Sequence, residues 1–320
     1  NFSEKKIKKI FFKKNKLEII FNQQNKNLLL FDGLYSFNES NYKIIKVKYN
    51  LEKKSQNYLI DLNLTENIFL DLINYGTNAK KNSNIKFDLR LENKKLIFKT
   101  INFTEDKNII SVKNLVINKK KEIEKLSNIQ ILTFRKNKEN NNFKINIRKK
   151  ISITGKKYDS SNLLKIITGP NKSNLLKNFS KEVDIKIKNL ITKSNVPLNN
   201  FNLIGLVEKG KFNKISAKSE FSENEYLDVT LKKDLNNKKI IEIYSDYPQA
   251  LLSDYKFFEG IKGGKLLYSS VIDETSSVSK LKIENFKITE APAFATLLTL
   301  ADLGGIADLL SGKGMSFDIL

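Results

Sequence analysis

Residues 85–103 read IKFDLRLENKKLIFKTINF. Every second residue from Ile85 to Leu91 is apolar and the residues between them are charged, which is the period-two pattern of a β-strand with one apolar and one polar face. Asn93-Lys94-Lys95 then offers a turn, and extended chain resumes at Leu96. The stretch therefore predicts a β-hairpin.

The same alternation recurs along much of the chain. Further runs centre on residues 143–153, 183–187, 201–207, 227–231 and 281–283. Strands with one apolar and one polar face are typical of antiparallel sheets, whereas strands of parallel sheets are covered on both faces and read as continuously apolar. We therefore expect a mainly β protein: an elongated, twisted antiparallel sheet that forms a repeating β-groove, with a few short helices.

Three stretches have helical rather than strand spacing. They are residues 66–75, residues 160–167 with a continuation to 179, and residues 248–258. A short helix followed by several strands would then repeat with a period of about 90 residues. The other interpretation is that these are unrelated connecting helices, and the sequence leaves both open.

The C-terminal region has a different composition. Alanine and leucine are concentrated between Ala291 and Leu303, and Pro292 stands where a first helical turn tolerates proline. Gly304-Gly305 interrupts this pattern, and a shorter helical run covers residues 306–310. We expect a C-terminal Ala/Leu-rich helix that packs on the end of a sheet. The alternative is a helix on the membrane surface, which is less favoured because its face lacks the lysine and arginine of an interfacial anchor.

The composition argues against an enzyme. The 320 residues include no His and no Cys, which removes the usual zinc, haem and thiol chemistry. No phosphate-binding or dinucleotide motif is present: the glycines at 260–264 have the wrong spacing and precede a strand, so a tight turn is expected there. Carboxylate pairs such as Asp273-Glu274 lie in turns. We expect no catalytic residue, no metal site and no cofactor.

The net charge of +22 points at first to an anionic partner. However, only Arg90, Arg135 and Arg148 among the 57 basic residues are arginines, and residues 241–320 contain 7 lysines against 11 acidic residues. Proteins that read nucleic acids rely on arginine for bidentate contacts with phosphate and bases. Lysine at strand ends and turns also blunts aggregation of sheet edges. We therefore expect no nucleic-acid partner.

The ends of the sequence indicate an excerpt of a longer chain. It begins at Asn1, its single methionine is Met315, and residues 316–320 read as an unfinished strand. The apolar run from Ala291 to Ala301 is too short to span a bilayer. We expect any membrane anchor to lie outside this sequence.

Several C-terminal segments resemble AsmA-like proteins, and the large YhdP-type members most of all. They are Ser245–Leu252 (SDYPQALL), Gly260–Leu267 (GIKGGKLL), Leu281–Ile288 (LKIENFKI) and the stretch from Ala291 to Asp318. The residues that carry this motif are Asp246, Gly263, Gly264, Pro292, Gly312, Gly314, Phe317 and Asp318. On this resemblance residues 181–320 are the AsmA-like C-terminal region, and residues 1–180 are a strand-rich β-groove segment of weak resemblance.

The resemblance implies a location and a function. The chain would be the periplasmic part of a protein anchored in the inner membrane of a Gram-negative bacterium. Its groove would hold phospholipid acyl chains during transport between the inner and outer membranes. An alternative is a structural or assembly factor that binds outer-membrane proteins through the edge of its sheet.

The apolar residues of the alternating strands are candidates for the lining of such a groove. They are Ile85, Phe87, Leu89 and Leu91; Ile145 and Ile147; Val183, Ile185 and Ile187; and Val229 and Leu231. The same residues would also be expected in the core of an ordinary closed sandwich or barrel. The sequence does not decide between these two environments.

Overall fold

The computed structural model describes residues 9–21, 27–52, 55–64, 66–78, 80–162, 180–193, 196–252, 261–273, 276–288 and 315–319. Contacts divide the chain into two units, Asn1–Lys177 (unit 1) and Asn178–Leu320 (unit 2). Both are built from antiparallel strands, so the predicted mainly β fold class is confirmed.

Unit 1 contains one main sheet. Its elements are β1 (Phe11–Ile20), β2 (Asn27–Ser36), β3 (Lys43–Glu52), β4 (Ser55–Asn63), β5 (Phe69–Leu70), β6 (Tyr75–Gly76), β7 (Ser83–Glu92), β8 (Lys95–Glu105), β9 (Asn108–Ile117), β10 (Ile123–Lys125), β11 (Asn128–Arg135), β12 (Lys138–Ile147) and β13 (Ile151–Asp159). The strands pair in the order β1-β2-β3-β4-β7-β8-β9-β11-β12-β13, and β10 pairs with the end of β9. β5 and β6 form a separate small ribbon.

The cross-strand register of this sheet puts the apolar residues on one face. One row runs across all ten strands of this order: Leu17, Phe31, Val47, Ile60, Phe87, Ile101, Val112, Ile129, Ile145 and Ile153. We call this side the apolar face. The residues one position earlier or later in each strand form the polar face, because successive side chains of a strand point to opposite sides.

The turns fix this register. The predicted hairpin over 85–103 is confirmed as β7 and β8, joined by Asn93-Lys94 with φ angles of 49° and 61°. Positive φ at both central residues is the requirement of the type I′ turn, which matches the twist of paired strands, and asparagine adopts it readily. A second turn of this kind, at Lys136-Asn137, joins β11 and β12.

Unit 2 is also built from antiparallel strands. Its elements are β14 (Lys181–Ile191), β15 (Leu198–Glu208), β16 (Lys211–Ser222), β17 (Glu225–Lys233), β18 (Lys239–Ser245), the helix α1 (Pro248–Leu252), β19 (Ile261–Ile272), β20 (Ser277–Ile288) and β21 (Met315–Ile319). Each strand pairs with the next one in the chain. The register again aligns an apolar row: Ile185, Leu203, Ala217, Val229, Ile243, Tyr268 and Leu281.

Of the predicted helices, one is wrong and one is confirmed over its described residues. The helix expected over 66–75 is wrong: the chain forms β5, a single 3₁₀ turn at Asp71–Ile73, and β6. Asn74 ends that turn in the left-handed conformation, with φ 46°. The helix expected from Pro248 does begin there, and the structure describes it as far as Leu252.

Other predicted helices lie largely outside the described residues. This applies to residues 163–179, 253–258, 291–303 and 306–310. Residues 160–162 are described and are not helical.

The tight turn expected at Gly263-Gly264 is also wrong, because both residues lie inside β19. Their φ angles are 66° and 88°, in the left-handed region that favours glycine. A Cβ atom on Gly264 would come within 2.8 Å of the Glu284 carbonyl oxygen. The glycines therefore make an irregularity within a strand, where a neighbouring backbone approaches closely.

Candidate functional site

The apolar face of unit 1 is the most extensive candidate site. Six of the residues proposed from the sequence lie on it. They are Ile85, Phe87, Leu89 and Leu91 in β7, and Ile145 and Ile147 in β12. All six are half-buried. Their partial exposure follows from the architecture, because the described part of unit 1 supplies a single layer of sheet and only a short segment that crosses it.

That segment is residues 66–78, which we call the closing segment. Tyr75 is 3% exposed, and its ring packs edge-to-face against Phe103 with the ring centroids 5.9 Å apart. Ile73 is buried as well. Phe103, Ile131 and Phe143, which lie on the apolar face near the same strand ends, are each about 7% exposed or less. The closing segment therefore covers one end of the apolar face.

A buried carboxylate anchors the closing segment. Glu105 is 2% exposed and accepts hydrogen bonds from the Tyr75 hydroxyl at 2.7 Å, the Asn78 backbone N–H at 2.9 Å and the Ser83 hydroxyl at 2.7 Å. Burial and the neighbouring Glu105 carboxylate raise the pKa of Tyr75 well above its usual value. Tyr75 therefore remains a hydrogen-bond donor at ordinary pH.

An amide provides the second anchor. Asn141 is fully buried, and its side-chain nitrogen donates to the Ile73 carbonyl oxygen at 2.7 Å and to the Thr133 hydroxyl at 2.9 Å. Its side-chain oxygen accepts the backbone N–H of Asp159 at 2.9 Å. One asparagine thus ties the closing segment to the ends of β11, β12 and β13.

Two further contacts hold the middle of the closing segment. Asn74 donates its side-chain N–H to the buried Asp159 carboxylate at 3.0 Å. The Tyr158 hydroxyl donates to the Leu72 carbonyl oxygen at 2.9 Å. Desolvation and the adjacent Asp159 raise the pKa of Tyr158 to about 12. These polar contacts reach residues that lie more than 80 positions away along the chain.

The opposite end of the apolar face is more exposed. It is formed by residues such as Leu91, Leu96, Ile117, Ile147 and Ile151, of which Leu96 is 36% exposed and the others are half-buried. In the described residues, no segment like 66–78 lies over this end. The apolar face is thus covered at one end and accessible at the other, which we call the open end.

The polar face carries alternating charges. Lys16, Asp32, Lys46, Asp61 and Lys86 follow one another in adjacent strands. The nitrogen-to-oxygen distance is 3.3 Å for Lys46 and Asp32 and 2.9 Å for Lys86 and Asp61. Burial alone would raise the pKa of Asp61, but hydrogen bonds from Asn84 and Lys86 outweigh it and lower the value.

These residues line a shallow depression on the polar face. Its lysines face carboxylates, so the depression is not strongly cationic and does not suit a nucleic-acid backbone. Its lining also includes Leu30 and Leu59, but Lys48 lies between these two leucines in the register. The row on the apolar face has no such interruption, which makes that face the better candidate for binding a long acyl chain.

The candidate residues of unit 2 have a different environment. Val183, Ile187 and Leu231 are buried, with exposures of 4%, 1% and 8%, whereas Ile185 and Val229 are half-buried. At one end of the sheet, Leu252 of α1 packs in a cluster with Leu266, Ile283 and Phe286. Three of the five candidates in unit 2 are thus buried within the protein.

Some of the residues that carry the AsmA-like motif lie in the described part of unit 2, and their positions can be stated. Asp246 accepts hydrogen bonds from the Tyr244 hydroxyl and from the Tyr226 backbone N–H. The first of these bonds raises the pKa of Tyr244 to about 12. Phe317 and Asp318 lie in β21. Pro292, Gly312 and Gly314 lie outside the described residues.

The sequence reasoning missed part of the apolar face. The alternation in β3 and β4, around Val47 and Ile60, was a usable signal for it. The anchors Glu105 and Asn141 gave no local signal, because their partners are distant in the sequence.

The site contains no metal centre in the described residues: no group of three or more acidic, histidine or cysteine side chains is placed to hold an ion there. Among the same residues, no helix is long and apolar enough to cross a membrane. Comparisons with family models, curated proteins and solved structures found no match to this chain. The resemblance to AsmA-like proteins therefore rests on the sequence motifs alone.

Proposed function

We propose that unit 1 holds the acyl chains of phospholipids on its apolar face. The protein would be the periplasmic part of an AsmA-like protein, anchored in the inner membrane, that carries phospholipid between the inner and outer membranes. The observation that supports this proposal is the continuous, half-exposed apolar row from Leu17 in β1 to Ile153 in β13. No reaction centre is required for this role.

The physical basis is the burial of hydrocarbon. Each methylene group removed from water contributes roughly 0.8 kcal/mol. The neighbouring strands are about 4.8 Å apart, so a row of aligned side chains offers an apolar strip across the sheet. Extended exposed apolar surfaces of this kind mark binding sites, because solvent contact disfavours them. The lipid head group would stay in water beyond the sheet.

Photo-crosslinking tests the proposal. A crosslinking amino acid replaces Phe87 or Ile145 on the apolar face, and matched controls replace their sequence neighbours Asp88 and Lys144 on the polar face. In cells that produce the whole protein, we expect phospholipid adducts at positions 87 and 145. Adducts at 88 and 144 should be much weaker. A crosslinking amino acid at Ile185 tests in the same way whether unit 2 also contacts phospholipid.

The proposal fails if positions 87 and 145 capture no lipid while the crosslinker is active elsewhere. Equal capture on both faces would also contradict it, because it would indicate nonspecific association with membranes. Mass spectrometry of the adducts identifies the lipid class.

One observation favours the alternative function as a structural or assembly factor. β1 pairs with β2 along one side, its other side carries no strand among the described residues, and Phe12, Leu17 and Ile19 are about half exposed. An open strand edge can accept a further strand. Against this, the register shift between Lys13 and Lys16 disturbs the edge. Crosslinks from Ile19 to outer-membrane proteins, without lipid adducts at 87 and 145, would favour the alternative.

A further inference from the structure

The open end of the apolar face is strongly basic. Three of the turns that the structure describes in full lie there, and we call residues 93–95, 118–122 and 148–150 the basic turns. Their exposed cationic residues are Lys94, Lys119, Lys120, Lys121, Arg148, Lys149 and Lys150. Lys125 of β10 is exposed beside them. This clustering is a feature of the fold, because residues from three separate parts of the sequence come to one end of one sheet.

Each basic turn borders the apolar face directly. Residues 93–95 lie between Leu91 and Leu96, which pair across the hairpin. Residues 148–150 lie between Ile147 and Ile151, which pair in the same way. Residues 118–122 follow Ile117, which pairs with Leu96. Adjacent strands are about 4.8 Å apart, so cationic and apolar side chains are close neighbours at this end.

Three acidic residues of this end whose side chains are described already have partners. Glu124 pairs with Lys95 at 2.7 Å, and Glu92 pairs with Arg90 at 3.2 Å. Glu122 accepts a hydrogen bond from the Asn118 side chain at 3.0 Å. Within the described residues, no carboxylate pairs with Lys119, Lys120, Lys121 or Lys149. These four lysines leave an excess of positive charge at the open end.

The covered end also carries cations. Lys81 pairs there with Asp106 at 2.6 Å, and Lys107, Arg135, Lys136 and Lys138 are exposed. The neighbouring residues of the apolar face, Phe103, Ile131 and Phe143, are however buried at that end. A cationic rim therefore borders accessible apolar surface at one end of the sheet.

We propose that the ligand of the apolar face is an anionic amphiphile whose phosphate or carboxylate group lies at the basic turns. This inference rests on the proposed function and adds a head-group class to it. The acyl chains lie on the apolar face, and the negatively charged group faces the lysines in water. Each lysine near an anionic surface contributes a modest, salt-screened attraction, so the combined preference for an anionic over a zwitterionic lipid is on the order of tenfold.

The test compares two lipids with identical fluorescent acyl chains, phosphatidylglycerol and phosphatidylcholine. The full-length protein binds each at low and high salt. A triple variant of the basic turns, K119Q/K120Q/K149Q, is compared with a matched variant of the covered end, K107Q/K136Q/K138Q. All six lysines are exposed, so both variants remove the same charge without disturbing the core.

We expect the wild-type protein to bind phosphatidylglycerol roughly tenfold more tightly at low salt, and the preference to shrink at high salt. The basic-turn variant should lose most of this preference with unchanged affinity for phosphatidylcholine. The covered-end variant should keep it. A large excess of inorganic phosphate should displace little phosphatidylglycerol, because the acyl chains supply most of the affinity.

The outcomes separate the two proposals. Equal affinity for both lipids in the wild-type protein, or an unchanged preference in the basic-turn variant, overturns the head-group inference and leaves acyl binding intact. Full displacement by inorganic phosphate also overturns it, because the site would then be one for the free anion. If neither lipid binds, the proposed function itself fails.

Discussion

The two units cover the end of an apolar face by different means. In unit 2, α1 inserts Leu252 into a cluster with Leu266, Ile283 and Phe286, and the contacts are apolar. In unit 1, the closing segment packs Tyr75 on Phe103, but buried polar groups hold it in place, above all Glu105 and Asn141.

The difference matters because the two kinds of contact fail differently. Apolar packing weakens in proportion to the volume removed, and neighbouring side chains partly compensate. A buried hydrogen-bond network tolerates few substitutions. Each donor or acceptor that loses its partner stays buried without a hydrogen bond, and its desolvation is then not compensated. We infer that unit 1 depends on the geometry of a few polar atoms, whereas unit 2 depends on how completely its core is filled.

The largest expected effect is in the apolar cluster of unit 2. Leu266 is 2% exposed, whereas its sequence neighbour Leu267 lies on the other side of β19 and is 44% exposed. Leu266→Ala should lower the free energy of unfolding of unit 2 by about 4 kcal/mol, within the ~2–5 range of such buried truncations. Leu267→Ala should cost about 0.5 kcal/mol. Denaturant unfolding followed by hydrogen exchange in unit 2 measures both.

Similar losses for the two variants would contradict this account of α1 and its cluster. A small loss for Leu266→Ala alone would mean that the cluster collapses to fill the cavity. The amides of unit 1 serve as an internal reference in the same experiment.

A smaller effect is expected at the anchor of unit 1. Glu105→Gln places an amide N–H₂ group among the donors of Tyr75, Asn78 and Ser83, so at least one donor loses its acceptor. We expect a cost of about 2 kcal/mol. The exposed neighbour Asp106 provides the matched control, because Asp106→Asn also removes a charge and should cost about 0.5 kcal/mol.

Hydrogen exchange locates this effect. The Thr77 amide, which donates to the Ile68 carbonyl oxygen at 2.9 Å, should exchange roughly thirtyfold faster in Glu105→Gln if the closing segment opens by itself. Unchanged exchange there would show that Glu105 does not anchor the segment. Faster exchange throughout unit 1 would indicate that the segment and the sheet open together.

The sequence predicted the features that depend on neighbouring residues and missed those that depend on distant ones. Alternation in β7 and β12 correctly predicted strands, and Asn93-Lys94 correctly predicted a turn, because these signals are local. The apolar residues Ile68, Leu70, Leu72 and Ile73 suggested a helix, again from local sequence alone. The conformation of this segment instead depends on hydrogen bonds with Glu105 and Asn141. These residues are distant in the sequence, so a local pattern does not reveal them.

The degree of burial of each residue could not be predicted from the sequence either. Ile85 and Val183 both belong to alternating strands, yet Ile85 is half-buried and Val183 is 4% exposed. The period of the pattern gives the face on which a residue lies. What covers that face depends on the packing of other segments, so groove and core could not be distinguished beforehand.

The smallest expected effect concerns Tyr158, and it depends on pH. Tyr158→Phe removes the hydrogen bond to the Leu72 carbonyl oxygen and should cost about 1 kcal/mol at neutral pH. The pKa of Tyr158 is raised to about 12 in the folded protein, above its usual value near 10. The unfolded chain therefore releases this proton first as pH rises, and the wild-type protein loses stability between these two values.

Tyr158→Phe lacks this ionisation, so the difference in unfolding free energy between wild type and variant should shrink as pH rises above about 10. Tyr226, which is 46% exposed, provides the control: Tyr226→Phe removes a tyrosine hydroxyl for which no hydrogen bond is seen in the described residues. Its difference from wild type at neutral pH should be small, because no such bond is lost. A constant difference for Tyr158→Phe would mean that its hydroxyl is as well hydrated in the folded protein as in the unfolded chain. The closing segment would then depend on Glu105, Asn141 and the contact between Asn74 and Asp159.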